Sequence, residues 1–155
     1  MIRGLLRAHD DQSGLPFLIE YRGEVVGQLN VANILHGSMS NAVIGYWIIP
    51  AVAGRNIMPT AVALVTDYLM NVVGLHRVEI NIRPENAASL RVVAKLGFRY
   101  EGLKQRYIHI NGAWRDHMVF ALTREEIPGG VLNRFEKGEV PPVKYPNPLD
   151  FQETL

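Results

Sequence analysis

Two small polar residues, Asn86 and Ser89, open the run "PENAASLRVVAKLGFRYEG". Asn86 stands where a helix would begin, and its side-chain oxygen can accept from the free amides of the first turn. Upstream, "PAVAGRNIMPT" joins the end of a strand-like run to the start of a helix-like one. Unpaired amides at such a junction, aided by the helix dipole, suit phosphate or pyrophosphate oxygens. Gly54 permits a positive φ and close backbone approach, and Arg55 offers a counter-charge. Neither the Gly-Lys-Ser/Thr of a Walker loop nor the three-glycine dinucleotide fingerprint is present. Taken singly, each feature is also an ordinary turn, a cap or a surface serine. They become a site only if the fold brings them together.

The surrounding pattern predicts how that happens. "LPFLIEY" and "EVVGQLNVANIL" flank Arg22-Gly23 as a hairpin, and "NAVIGYWII", ended by Pro50, follows as a third strand of an antiparallel meander. Ala61, Leu64, Val65, Tyr68, Leu69 and Val72 recur at helical spacing between Pro59 and Gly74, which predicts a helix with one buried face. "HRVEINI" reads as a strand, and the run from Asn86 as a second helix that stops at Gly97. Strand, helix, strand, helix in succession implies a crossover and some parallel pairing. "RYEGLKQRYIHI" and "AWRDHMVFAL" flank Asn111-Gly112, the strongest short hairpin signal. From Ile127 the Pro/Gly-rich residues 127–155 read as a tail with little structure of its own, after a domain spanning 1–126.

The chain of 155 residues is 48% hydrophobic and 20% charged, the composition of one globular domain with a substantial core. Sixteen basic against fifteen acidic residues argue against a dedicated nucleic-acid binder. Without cysteine there is no disulfide, thiolate metal site or cysteine nucleophile. The histidines at 9, 36, 76, 109 and 117 lack metal-ligand spacing, so no metal is expected. No apolar run is long enough to cross a bilayer and the N-terminus is unlike a signal peptide, so no membrane partner and a cytoplasmic location are expected.

In this order and spacing, "IGYWIIPAVAGRNIMPTAV", "HRVEINIRPENAASLRVVAKLGFRYEG" and "INGAWRDHMVFAL" resemble the GCN5-related N-acetyltransferases (GNAT), most nearly the RimJ/RimL branch. The resemblance implies a mixed α/β fold, a mostly antiparallel sheet whose two central strands splay to admit the pantetheine of acetyl-CoA. It further implies an acetyl-CoA-dependent N-acetyltransferase that acts by direct attack of an amine in a ternary complex. The implied acceptor is a protein N-terminal amine of ribosomal-protein type, or a small amine. The implied cofactor-binding residues are Ile49, Val52, Gly54, Arg55, Asn56, Ile57, Asn86 and Ser89. Val52 to Ile57 would take the pyrophosphate, Asn86 the pantetheine, and Ser89 would be the catalytic residue that protonates the leaving thiolate.

Three departures from the family pattern stand out. In the pyrophosphate loop, Ala51 replaces the usual leading Gln or Arg, and Asn56 replaces a small residue. Asparagine tolerates a left-handed backbone, so Asn56 is expected to keep the loop's shape. No general base is obvious: Glu79 is one candidate, and Tyr107, Ile108 and His109 occupy the strand where some relatives carry a glutamate. Finally, relatives carry a strand and two helices ahead of the hairpin, of which "MIRGLLRAHDD" would be a remnant. That shortening predicts an open side and self-association as a possible homodimer. Two rivals follow, a degenerate non-catalytic acyl-CoA-binding module and an interaction protein.

Overall fold

The computed structural model describes residues 14–151. The "MIRGLLRAHDD" segment and His9 therefore lie outside the described residues. Strands β1 (Gly14–Tyr21), β2 (Glu24–Leu35) and β3 (Asn41–Ile48) form the expected antiparallel meander. The first turn works because Arg22 and Gly23 both take positive φ, 52° and 84°. Such turns match the right-handed twist of the flanking strands.

Helix α1 (Ile57–Tyr68) crosses to β4 (Arg77–Ile82), which pairs parallel to β3. Helix α2 (Ala87–Leu96) leads to β5 (Arg99–Ile110), and β6 (Ala113–Thr123) returns through Asn111-Gly112, again with both φ positive. The sheet order is β1-β2-β3-β4-β6-β5, so β5 is an edge and the β3-β4 pair is the parallel step. This is the mixed, mostly antiparallel α/β architecture that the pattern predicts.

The core lies between the helices and one sheet face, where Ile44, Ile80 and Phe120 are almost fully enclosed with Val62 of α1 and Val93 of α2. One expectation for α1 needs correction. Leu64 and Val72, assigned to its buried face, are 38% and 70% exposed. Met58, Ala61, Val62, Ala63, Val65 and Thr66 are buried instead, so the helix is enclosed on nearly all sides. Its continuation, Leu69–Val73, is a π-turn. The wider turn rotates later side chains off the helical stripe and carries Val72 to solvent.

The segment beyond Glu126 also departs from expectation. It contains α3 (Val131–Glu136) and a 3₁₀ turn at Pro148–Phe151, and it buries Ile127 and Val131 in the core. The Asp67 carboxylate of α1 accepts from the amides of Val131 and Leu132 at 2.7 and 3.1 Å, which caps α3 from outside. Arg134 donates to the Leu96 carbonyl at the end of α2, 2.6 Å away. That contact needs Gly97, whose φ of 76° is left-handed and where an added Cβ would sit 2.8 Å from the guanidinium.

Candidate active site

Strands β3 and β4 hold each other only briefly. Asn41, Ala42 and Val43 pair with Arg77, Val78 and Glu79, after which β3 runs on to Ile48 and β4 to Ile82 without pairing to each other, each still held by its other neighbour. The strands part there, and a cleft of about 270 Å³ opens beside them. Its walls come from the outer half of β3, the 52–58 loop and one face of α2.

Of the residues singled out in the sequence, Val52, Gly54, Asn56, Ile57, Asn86 and Ser89 line this cleft together. Ile49 and Arg55 do not. The Ile49 amide is taken by the Val26 carbonyl at 2.8 Å, and Arg55 is turned out to solvent. The loop owes its shape to two left-handed residues, Gly54 with φ 79° and Asn56 with φ 59°. Asn56 precedes α1, and its carbonyl accepts from the Thr60 amide and hydroxyl, which starts the helix. Its side chain caps no amide of α1, and the first turn holds no acidic residue. The helix thus meets the cleft with its positive end unneutralised.

Asn86 does cap its own helix, accepting from the Ser89 amide at 3.1 Å. That leaves its amide NH₂ for the cleft. Ser89 is half-buried, and its carbonyl accepts the Tyr46 hydroxyl from β3 at 3.3 Å. Burial pushes the Tyr46 phenol well above its ordinary range, so it stays neutral and a donor.

Lys95 and Arg91 were not anticipated, although both line the cleft. Ala88, Arg91, Val92 and Lys95 share one face of α2 at helical spacing, but that spacing alone does not tell a cleft-lining face from a solvated one. The Lys95 ammonium donates to the Asn56 carboxamide oxygen at 2.7 Å.

None of the candidate bases lines the cleft. Glu79 accepts from Arg77 at 2.9 Å and from Lys104 at 2.7 Å. Burial alone would raise its pKa, but the hydrogen bonds from Lys104 and Arg77 outweigh it and hold the carboxyl below its ordinary value. An ion-paired carboxylate of this kind is a weak base. Tyr107, Ile108 and His109 lie on edge strand β5, separated from the splayed gap by β6 and β4. Asp116 accepts from the Arg106 amide at 2.7 Å, whereas the His117 Nδ1 donates to the Arg115 carbonyl at 3.0 Å. The two therefore serve different partners, and among the described residues no group of three metal-ligating side chains converges.

Comparison with known proteins agrees with this geometry. Residues 1–99 match the family described as Acetyltransferase (GNAT) domain. The chain is 40% identical over 98 residues to the probable N-acetyltransferase YjcK of Bacillus subtilis, covering 63% of this chain and 54% of that protein. It is 35% identical over 100 residues to the [ribosomal protein uS5]-alanine N-acetyltransferase of Escherichia coli, covering 64% and 52%. Among solved structures, Mycobacterium smegmatis RimJ in complex with CoA-disulfide superposes with a TM-score of 0.79 at 44% identity, over 82% of this chain and 61% of that one. The ribosomal-protein-S5-alanine acetyltransferase of Vibrio fischeri gives 0.70 at 28% identity, over 76% and 66%. The chain spans about half the length of these curated relatives. With the family matched across most of its residues and the splayed sheet in place, the chain belongs to the GNAT acetyltransferase domain family.

Proposed function

We propose that the protein is an N-acetyltransferase that moves the acetyl group of acetyl-CoA to a primary amine. The observation that carries this reading is the cleft itself, where the open N-terminus of α1 and the Asn86-Ser89 end of α2 face one space beside unpaired strand. Pantetheine amides would pair with the free backbone of β3, and the pyrophosphate would sit on the 52–57 loop. The amine lone pair attacks the thioester carbonyl carbon, the C–S bond breaks, the leaving thiolate takes a proton from Ser89, and Ser89 regains one from solvent. The amine's own proton passes to solvent through water, since among the described residues no carboxylate or imidazole lines the cleft. Lacking cysteine, the chain favours direct attack over an acetyl-enzyme.

The first-ranked acceptor is a protein N-terminal amine, supported by the relative that modifies ribosomal protein uS5. The spermidine N(1)-acetyltransferase of Escherichia coli, 30% identical over 106 residues, keeps small amines in view. A cytoplasmic location and a homodimer belong to the same reading. Among the described residues no helix is long and apolar enough to cross a membrane.

Acetyl-CoA titration by calorimetry, with mass in solution, tests the donor site and the dimer. Thiol release is then followed with uS5-like N-terminal peptides and with spermidine. Binding with turnover on peptides alone supports the reading, and no binding refutes it. That no base lines the cleft among the described residues favours one alternative, a non-catalytic acyl-CoA-binding module. Saturable binding without thiol release on any amine would establish that alternative.

A further inference from the structure

Asn56 holds a left-handed conformation, φ 59° and ψ 15°, at the capping position of α1. Asparagine is enriched in this region because its short carboxamide can bond to nearby backbone. Here it bonds to none of the first-turn amides of α1. Its Oδ1 accepts instead from Lys95 Nζ at 2.7 Å, in the last turn of α2, 39 positions along the chain.

Two things follow from that bond. With the carboxamide drawn toward α2, the Ile57 and Met58 amides keep no side-chain partner among the described residues, and Pro59 has no amide to offer. The Lys95 ammonium is also fixed at the cleft wall beside those amides, where an exposed lysine would otherwise sample many rotamers.

We propose that Lys95 is a positioning residue. By holding the Asn56 carboxamide, it keeps the 54–58 loop in its left-handed shape and leaves the loop amides open to the pyrophosphate of CoA. The inference rests on the donor-site reading above, and it makes α2 a participant in phosphate recognition through the loop as well as by charge.

Calorimetric titration with CoA on four proteins tests it: the native chain, Lys95→Met, Asn56→Gly and the double variant. Glycine adopts positive φ unaided, so the latch is dispensable in the Asn56→Gly background. Lys95→Met is expected to raise Kd about thirtyfold with Asn56 present and only about threefold in the Asn56→Gly background, a coupling of about 1.4 kcal/mol. The residual threefold is the loss of one cation near the phosphates. Lys95→Arg, which still donates to Oδ1, should stay within about threefold of native. Thermal midpoints of all variants should coincide, because both side chains are exposed and the effect is on the loop's bound geometry. Equal losses from Lys95→Met in the two backgrounds, or no loss at all, overturn the proposal and leave Lys95 a plain charge or a bystander. If the native chain does not bind CoA, the donor-site reading fails and the latch fails with it.

Discussion

The Tyr46 hydroxyl on β3 donates to the Ser89 carbonyl on α2, 3.3 Å away, and so spans the open end of the sheet. Strand pairing no longer joins the two arms at that level, because the last β3-β4 partners are Val43 and Glu79. The phenol acts as a strut between the arms, kept neutral by burial. Tyr46→Phe removes the bond while preserving the ring's packing. The expected loss is about 1 kcal/mol of stability, seen as a drop of about 2–4 °C in thermal midpoint. A several-fold weaker acetyl-CoA affinity should accompany it, as the cleft walls loosen.

Asn86 caps α2 and, in the proposed reading, also holds pantetheine, and one substitution separates the two tasks. Asn86→Asp keeps an oxygen to accept the Ser89 amide, and its negative charge suits a helix N-terminus. Stability should therefore hold or rise slightly. The carboxylate offers no N–H to pantetheine, so acetyl-CoA Kd should rise about tenfold or more. Asn86→Ala should lower both affinity and stability, the latter by about 1 kcal/mol. Unfolding curves paired with calorimetry read the two effects apart.

Ser89→Ala tests the proposed role of Ser89 as proton donor. Turnover should fall roughly a hundredfold, near the low end for a positioned acid, while acetyl-CoA affinity stays close to native. The backbone contacts of residue 89 survive the change, since both use its amide and carbonyl. Single-turnover thiol release measures it, and an unchanged rate removes the serine from the mechanism.

On the sheet face away from the cleft, charges alternate from Lys104 through Glu79, Arg77, Glu101 and Arg99 to Glu126. Hydrogen bonding from Arg77, with help from Arg99 and against burial, pulls the Glu101 carboxyl from 4.5 down to about 2. Glu79 and Glu126 are likewise held low. A carboxyl depressed on folding stabilises above its unfolded value, and that stability is lost as pH falls through the folded one. The protein should therefore lose stability between about pH 4.5 and pH 2. Denaturant midpoints across that range should fall with pH, and Glu101→Gln should flatten the slope.

The order of elements was legible because it rests on local chemistry. Arg22-Gly23 and Asn111-Gly112 mark turns that require positive φ at both positions, and Asn86 and Gly97 bracket α2 with a side-chain cap and a left-handed stop. The loop residues Gly54 and Asn56 and the pair Asn86 and Ser89 were legible for the same reason. Lys95 was not, since a lysine on an exposed helix face looks like any solvated charge until the loop 39 positions away is placed beside it. The Tyr46-Ser89 contact spans 43 positions and is equally silent. Leu64 and Val72 misled because a periodicity argument assumes one covered face and an unbroken 3.6-residue turn. Helix α1 satisfies neither assumption.

The small helix α3 gives the molecule a mechanical property that its length conceals. It is riveted to α1 through Asp67 and to α2 through Arg134, and both helices contribute to the lining of the cleft. Residues outside the cleft thus act as a cross-brace between the helices that line it. The stretch after the sheet serves as a clamp on two helices of the cleft, while none of its described residues lines the cleft itself.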